Sequence, residues 1–484
     1  MSSSDPTGTT AARSDDGLNV PRSRIVIASL VGTTIEFYDF YIYATAAISV
    51  FPLLFFPTGD SGAALLSSLA TFGLAFVARP IGSIVFGHFG DRVGRKATLV
   101  GSLLTMGIAT FLIGLLPTYA QIGLFAPAML AILRFCQGLG LGGEWSGAAL
   151  LATETAKKGK RAWAAMWPQL GAPFGFILAN GFFLLLTVWM GYTGSAANDP
   201  SHPFVMWGWR IPFLVSAIIV LIGLYVRLKL EETPVFARAV AQGKKVKTPI
   251  VEVFRTAWKP LILGTFIMLA TYSLFYLMTT WILSYAIGSV ENGFLGIPYQ
   301  DFLILQLISI IFFAAFIPVA GWLADKFGRR RTLMVVTAGI IVFGLCFNLF
   351  LAPEIMGQGD SASHGLMLTF LIIGMILMGL TFGPMSAILP ELFETNVRYT
   401  GSALAYNISS IFGAALAPFI AAWLAKDFGV GWVGVYLASM AVLTFVALYL
   451  SKETKNMSMD TLEDEVDEID EVDEVVDEEA TVKR

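Results

Sequence analysis

Five ionisable side chains lie inside apolar stretches of the chain, all in its first half: Glu36 and Asp39, then Arg79, then Arg134 and Glu144. At mid-bilayer depth such a group costs at least about 2.5 to 3.5 kcal/mol, so it is retained for function or paired. Three acids face two bases, which leaves one carboxylate without a fixed counter-ion. A carboxylate of that kind is neutralised by a proton or by a ligand. Counting about 1.5 Å of rise per residue, Glu36, Arg79 and Glu144 fall roughly 15 Å from one end of their helices, and Asp39 and Arg134 about 20 Å. Asp39 and Arg134 are therefore expected to face one another near mid-depth, as a proton site with its partner or as a static ion pair. Arg79 precedes Pro80, where a helix loses a backbone hydrogen bond. Its guanidinium suits a substrate carboxylate, bound by two parallel bonds, or neutralises Glu36 or Glu144.

Other chemistries lack their residues. The three histidines, His88, His202 and His364, are far apart and lie at span ends or in loops, and neither an HExxH pair nor a Gly-x-Ser-x-Gly elbow occurs. Cys136 and Cys346 belong to no CxxC or Cys/His cluster. Neither a Walker-type loop nor a nucleotide domain is present. An enzyme, a metal site, a bound cofactor, a nucleic-acid partner and an ATP-driven pump are all unexpected. The second half instead offers uncharged polar and aromatic candidates for a cavity wall: Tyr272 and Tyr276, Gln306, Asn348, and Tyr406 with Asn407. Tyr43, Gln169 and Asn180 are candidates from the first half. Aromatic residues at helical spacing serve packing as readily as binding.

The elements that position these residues are long apolar helices. Of 484 residues, 56% are hydrophobic and 14% charged, far from the balance of a soluble domain. Runs of spanning length predict an all-α polytopic membrane protein with twelve helices, near 25–54, 62–88, 97–116, 121–152, 161–190, 211–228, 260–287, 301–324, 332–352, 365–389, 398–425 and 431–450. Basic residues crowd alternate connections, including Arg92, Arg95 and Lys96, Lys157 to Arg161, and Lys326 to Arg331. The positive-inside rule then expects both termini in the cytoplasm.

The chain also repeats itself. Gly87-x3-Asp91-Arg92-x-Gly94-Arg95-Lys96 returns at an offset of 234 as Gly321-x3-Asp325-Lys326-x-Gly328-Arg329-Arg330, and Glu154 and Arg161 return at an offset of 237 as Glu391 and Arg398. Two pseudo-symmetric six-helix halves are the natural reading. The expected organisation is a polar N-terminus (1–22), a first lobe (23–230), a basic linker (231–259), a second lobe (260–451) and a tail (452–484). From Asp460 onward the tail carries 13 acids and two bases, and disorder is the expectation for it.

The duplicated loop resembles the signature of the major facilitator superfamily. Glu36-Phe37-Tyr38-Asp39-Phe40, Ala78-Arg79-Pro80, Gly142-Gly143-Glu144-Trp145 and Trp207-Gly208-Trp209-Arg210-Ile211-Pro212 are similar to the bacterial metabolite:proton symporters, whose members carry organic acids, shikimate, and proline or betaine. Glu231-Glu232-Thr233-Pro234 and Lys452-Glu453-Thr454-Lys455 are similar to elements of sugar porters. The resemblance implies proton-coupled symport of a small carboxylate-bearing metabolite in a bacterial inner membrane, by a monomer. An osmolyte symporter or a sugar carrier is the alternative. It also implies Asp39 as proton acceptor and Arg134 as its gate partner. In the loops, a carboxylate at one helix end can accept bonds from the N-terminus of a neighbouring helix while the bases hold acidic partners. Gly87, Asp91, Arg92, Gly94, Arg95 and Lys96, Asp325 and Arg329, with Glu154, Arg161, Glu391 and Arg398 as partners, are thus expected to form a cytoplasmic latch.

Overall fold

The computed structural model describes residues 22–57, 60–93, 95–142, 149–150, 152–153, 156, 159–192, 201–228, 249–394, 397–455 and 457. Twelve helical segments follow one another: α1 Arg22–Ser49, α2 Ser61–Val93, α3 Arg95–Leu115, α4 Phe125–Leu141, α5 Arg161–Met190, α6 Arg210–Leu228, α7 Trp258–Ile287, α8 Tyr299–Phe327, α9 Arg329–Leu345, α10 His364–Glu391, α11 Arg398–Asp427 and α12 Val430–Leu450. Among the described residues, eight are long and apolar enough to cross a membrane, and α3 and α4 are shorter apolar helices. Large apolar side chains point outward, among them Leu185, Trp189 and Val335 at 68, 78 and 75% exposure. That suits a lipid surround, where backbone groups must be satisfied inside each helix.

Packing repeats between the halves. In the first, α1 packs on α5, α2 on α4 and α3 on α6; in the second, α7 packs on α11, α8 on α10 and α9 on α12. The halves meet where α2 lies against α11, α5 against α8 and α10, and α1 against α7. Glycines set the spacing of α2 and α4. A Cβ on Gly138 would overlap the backbone of Ala75, and one on Gly142 that of Arg79. Small residues are what allow helices to approach this closely without a driving force from water.

Several helices end or bend earlier than the apolar runs suggest. The first stops at Ser49, and Phe51–Phe55 is a separate short helix whose second residue is Pro52. The ninth stops at Leu345, and Phe347–Leu351 restarts before Pro353. α5 is interrupted at Leu170, two residues after Pro168. α7 and α11 each contain a π-helical turn, Leu277–Trp281 and Ile411–Ala415, a feature that often accompanies functional sites. The linker lies outside the described residues as far as 248, and its remainder begins with the helix Pro249–Thr256. The acidic tail beyond 457 and the N-terminus before 22 also lie outside them.

Candidate functional site

α1 carries Glu36 toward tyrosines of the second half and Asp39 toward Thr110 of α3 inside the first half, at 3 and 1% exposure. Arg79 of α2 (4%) and Arg134 of α4 (0%) join them. Glu144 lies outside the described residues, so the expected third acid is not placed.

The direct ion pair expected between Asp39 and Arg134 is replaced by a relay. Thr110 Oγ1 of α3 donates to Asp39 Oδ2 at 3.1 Å, Gln137 Nε2 donates to Thr110 Oγ1 at 2.8 Å, and Arg134 Nη1 donates to Gln137 Oε1 at 2.5 Å. Arg134 also donates from Nε to Phe72 O at 3.3 Å. Its guanidinium lies 4.0 Å from the Tyr43 ring centroid, 4.5 Å from that of Phe40 and 4.9 Å from that of Phe72. Three ring faces help a buried cation remain charged. Asp39 Oδ1 and Arg134 Nη2 have no hydrogen-bond partner. Thr110 and Gln137 were not among the residues singled out from sequence.

Arg79 forms a second centre that spans both halves. Its guanidinium carbon lies 5.0 and 5.2 Å from the Phe76 and Phe40 ring centroids, and it is electrostatically coupled to Glu36 and to Tyr272, Tyr276 and Tyr406. The Tyr272 and Tyr406 rings stand 5.2 Å apart, and Tyr276 meets Phe76 edge-on at 5.1 Å. Tyr406 is hydrogen-bonded to Tyr272 and to Arg79, and Arg79 Nε is left buried without a hydrogen-bond partner. Unsatisfied buried donors of this kind mark a place where a ligand or water is accommodated.

The other candidates separate by location. Gln169 Nε2 of α5 donates to Phe382 O of α10 at 3.0 Å, and Asn407 Nδ2 of α11 donates to Gly142 O at 2.9 Å, so both tie one half to the other. Asn180 Oδ1 accepts from Thr45 Oγ1 at 2.7 Å within the first half. Gln306 Nε2 donates to Met278 O and Thr279 O at 3.1 and 3.3 Å, serving carbonyls of the π turn in α7. Asn348 corrects its expectation. It is exposed in the short helix after the break at Cys346 and lies beside Gly431, so it does not line the seam.

At one end of the bundle Asp325, near the close of α8, accepts from the first backbone N–H groups of α5, Ala162 at 3.0 Å and Trp163 at 2.9 Å. Arg329 pairs with Asp325 at 3.2 Å and with Glu391 at 3.3 Å, and Glu391 Oε2 accepts from Thr454 Oγ1 at 2.6 Å. Glu453 accepts from the Arg329 and Arg330 backbone N–H groups, the start of α9. Arg161 donates to Met457 O at 2.6 Å, and Arg398 to Phe393 O at 3.2 Å. Gly328 needs its positive φ of 102° at this turn, and a Cβ there would press on the Glu453 carboxylate. Glu154, Gly94 and the side chains of residues 87–93 and 95–99, including Gly87, Asp91, Arg92, Arg95 and Lys96, lie outside the described residues.

The opposite end is also joined. Lys426 Nζ lies 3.3 Å from Asp60 Oδ2, Asn292 Nδ2 donates to Ser61 Oγ at 3.2 Å, and Gln300 Nε2 donates to Tyr192 O at 2.8 Å. The Gly62 N–H, and then Lys426, hold the Asp60 carboxyl below the usual carboxylate range. With contacts between halves at both ends, the buried charges are enclosed.

Residues 25–465 match the family described as "Sugar (and other) transporter". The chain is 55% identical over 438 residues to the inner membrane metabolite transport protein YhjE of Escherichia coli K12, covering 90% of this chain and 96% of that one. It is 34% identical to the shikimate transporter of the same organism (92% and 98% covered) and 32% identical to its proline/betaine transporter (90% and 84%). Among solved structures it superposes on the proton:xylose symporter XylE bound to 6-bromo-6-deoxy-D-glucose with a TM-score of 0.66 at 17% identity, covering 91% of this chain and 98% of that one.

Proposed function

Because the chain belongs to the sugar (and other) transporter family of the major facilitator superfamily, we propose that it couples proton entry to uptake of a small carboxylate-bearing metabolite. It is a secondary active transporter, working by alternating access in a bacterial inner membrane. The lobes in this reading are residues 23–230 and 260–451, joined by the linker 231–259, with both termini cytoplasmic.

The observation that carries the proposal is the pair of buried charge centres, one inside the first half and one on the seam. Asp39 is the proton site, with Arg134 joined to it through two neutral side chains, while Arg79 takes the substrate carboxylate against tyrosines of the second half. A ligand held by both halves biases their relative motion, and symport requires that a proton at Asp39 bias the same motion. Glu36, which lies beside Arg79, and Glu144 are the competing carboxylates. The rings around Arg79 favour a second reading, an osmolyte such as proline or betaine, whose ammonium group is drawn to aromatic faces.

The test is uptake of labelled shikimate, other organic acids, proline, betaine and xylose into proteoliposomes under an imposed proton gradient. Concentrative uptake of an organic acid supports the proposal. Concentrative uptake of proline and betaine alone supports the second reading. Uptake of any of them that ignores the gradient refutes proton coupling. Within the active assay, Asp39→Asn should lose accumulation and keep exchange, because exchange moves no net proton.

A further inference from the structure

The relay gives two uncharged side chains a part in the proton step, an inference that rests on Asp39 being the proton site. Thr110 Oγ1 has one proton to donate and two acceptors in reach, Asp39 Oδ2 at 3.1 Å and Met106 O at 2.9 Å. Its neighbour Gln137 is fixed in orientation. A guanidinium has no acceptor, so Arg134 requires the Gln137 carbonyl oxygen, and the Gln137 amide then presents only N–H to Thr110. The threonine proton cannot go to Gln137, and it is left to choose between Asp39 and Met106.

We propose that Thr110 and Gln137 are positioning residues that transmit the donor character of Arg134 to Asp39, so that the Thr110 hydroxyl turns with the protonation state of that carboxyl. With Asp39 ionised, the hydroxyl points at Oδ2. With Asp39 protonated, the carboxyl donates to the free lone pair of Thr110, and the hydroxyl turns to Met106 O. Both states keep every bond in the chain, and Arg134 stays charged over the Tyr43, Phe40 and Phe72 rings in each. All four relay residues are at most 1% exposed, so no solvent supplies these bonds instead. The other titratable groups around the relay are Glu36, Tyr38 and Tyr43 of α1, Arg79 of α2 and Tyr276 of α7; Tyr38 Oη is already committed to Pro212 O of α6 at 3.0 Å.

The test needs no substrate. Infrared difference spectra of the purified full-length chain, taken across a pH series, report protonated carboxyl bands. The band lost in Asp39→Asn is that of Asp39. Thr110→Val keeps the shape and removes both the bond donated to the ionised carboxylate and the weaker bond accepted from the protonated carboxyl, so the midpoint of the band should rise by the difference, about 1 pH unit. Thr110→Ser should restore the midpoint, and Gln137→Leu should raise it by less than Thr110→Val does. An Asp39 band with one midpoint in the wild type and in Thr110→Val overturns the relay and leaves the proton site standing. Carboxyl bands unchanged by Asp39→Asn overturn the proton site and the relay with it.

Discussion

Replacing Asp325 with Asn should loosen the joint between the halves at the Glu391 end by a measurable factor. The wild-type carboxylate accepts from the Ala162 and Trp163 N–H groups at 3.0 and 2.9 Å and pairs with Arg329 at 3.2 Å. Asn keeps one acceptor oxygen, turns an N–H donor toward the remaining backbone donor, and carries no charge. One bond to a charged acceptor is worth about 1.5 to 3 kcal/mol, and the Trp163 N–H is exposed, so water replaces part of that. The pair with Arg329 lies inside the second half and is kept whether this end is closed or open, so it does not enter the ratio. The loss is about 2 kcal/mol, a roughly 30-fold change in the ratio of closed to open at this end. A population at about 99:1 would fall to about 3:1. Spin labels at Lys160→Cys and Arg331→Cys, in a background without Cys136 and Cys346, span the joint, and electron–electron distance measurement reads the two populations. Distance distributions that are identical in wild type, Asp325→Asn and Asp325→Ala would show that the carboxylate does not hold the halves together.

Arg79→Lys should weaken binding of the transported acid by at least about tenfold, because an ammonium replaces a planar fork; equilibrium binding of the labelled acid measures this, and unchanged affinity would remove Arg79 from the substrate site. At the other end, Asp60 has its carboxyl lowered below the ordinary value near 3.9, so its contribution is complete above that value and fades as pH falls through the lowered one. The thermal midpoints of wild type and Lys426→Gln should therefore differ slightly above about pH 4 and converge in stronger acid; a gap that widens on acidification contradicts the sign. The bundle end bearing Asp325 should face the cytoplasm, so a cysteine at Lys326 should label only from inside and one at Asp360 only from outside.

Much of the helix frame was legible because spanning length and charge punctuation are coarse signals that survive uncertain ends. The contact of Asp325 with the start of α5 was legible for a different reason. A duplicated carboxylate at a helix end has few partners besides a neighbouring N-terminus, and Asp325 meets Ala162 and Trp163 in that way. Charge in an apolar run also exposed Asp39, Arg79 and Arg134 at once. Thr110 and Gln137 escaped because neutral polar residues cost little inside a bundle and stand out by no single property. One signal was available: Gln137 follows Arg134 by three residues, on the same helix face. Asn348 misled because its helix stops at Leu345, and a run of hydropathy does not reveal a break without proline or glycine at the break itself. The π turns of α7 and α11 have no residue signature to read.

The unequal division of chemistry between the halves follows from what alternating access requires. Between the two ends, the first half holds every described charge facing the seam, and the second offers tyrosines and two π turns against it. If both halves carried fixed charges toward each other, separating them would leave each set unpaired in a desolvated cleft at a cost of several kcal/mol. With both charge centres in one half, Asp39 stays joined to Arg134 and Glu36 stays near Arg79 whichever end is open. The moving contacts are then rings and backbone carbonyls, such as Phe76 on Tyr276 and Asn407 on Gly142, which are weak enough to part and re-form. Polar joints that must hold one state at a time sit at the two ends, around Asp325 and around Asp60. A proton arriving at Asp39 changes the charge of the half that carries it without breaking an ion pair across the seam, so the step that loads the carrier need not also be the step that opens it.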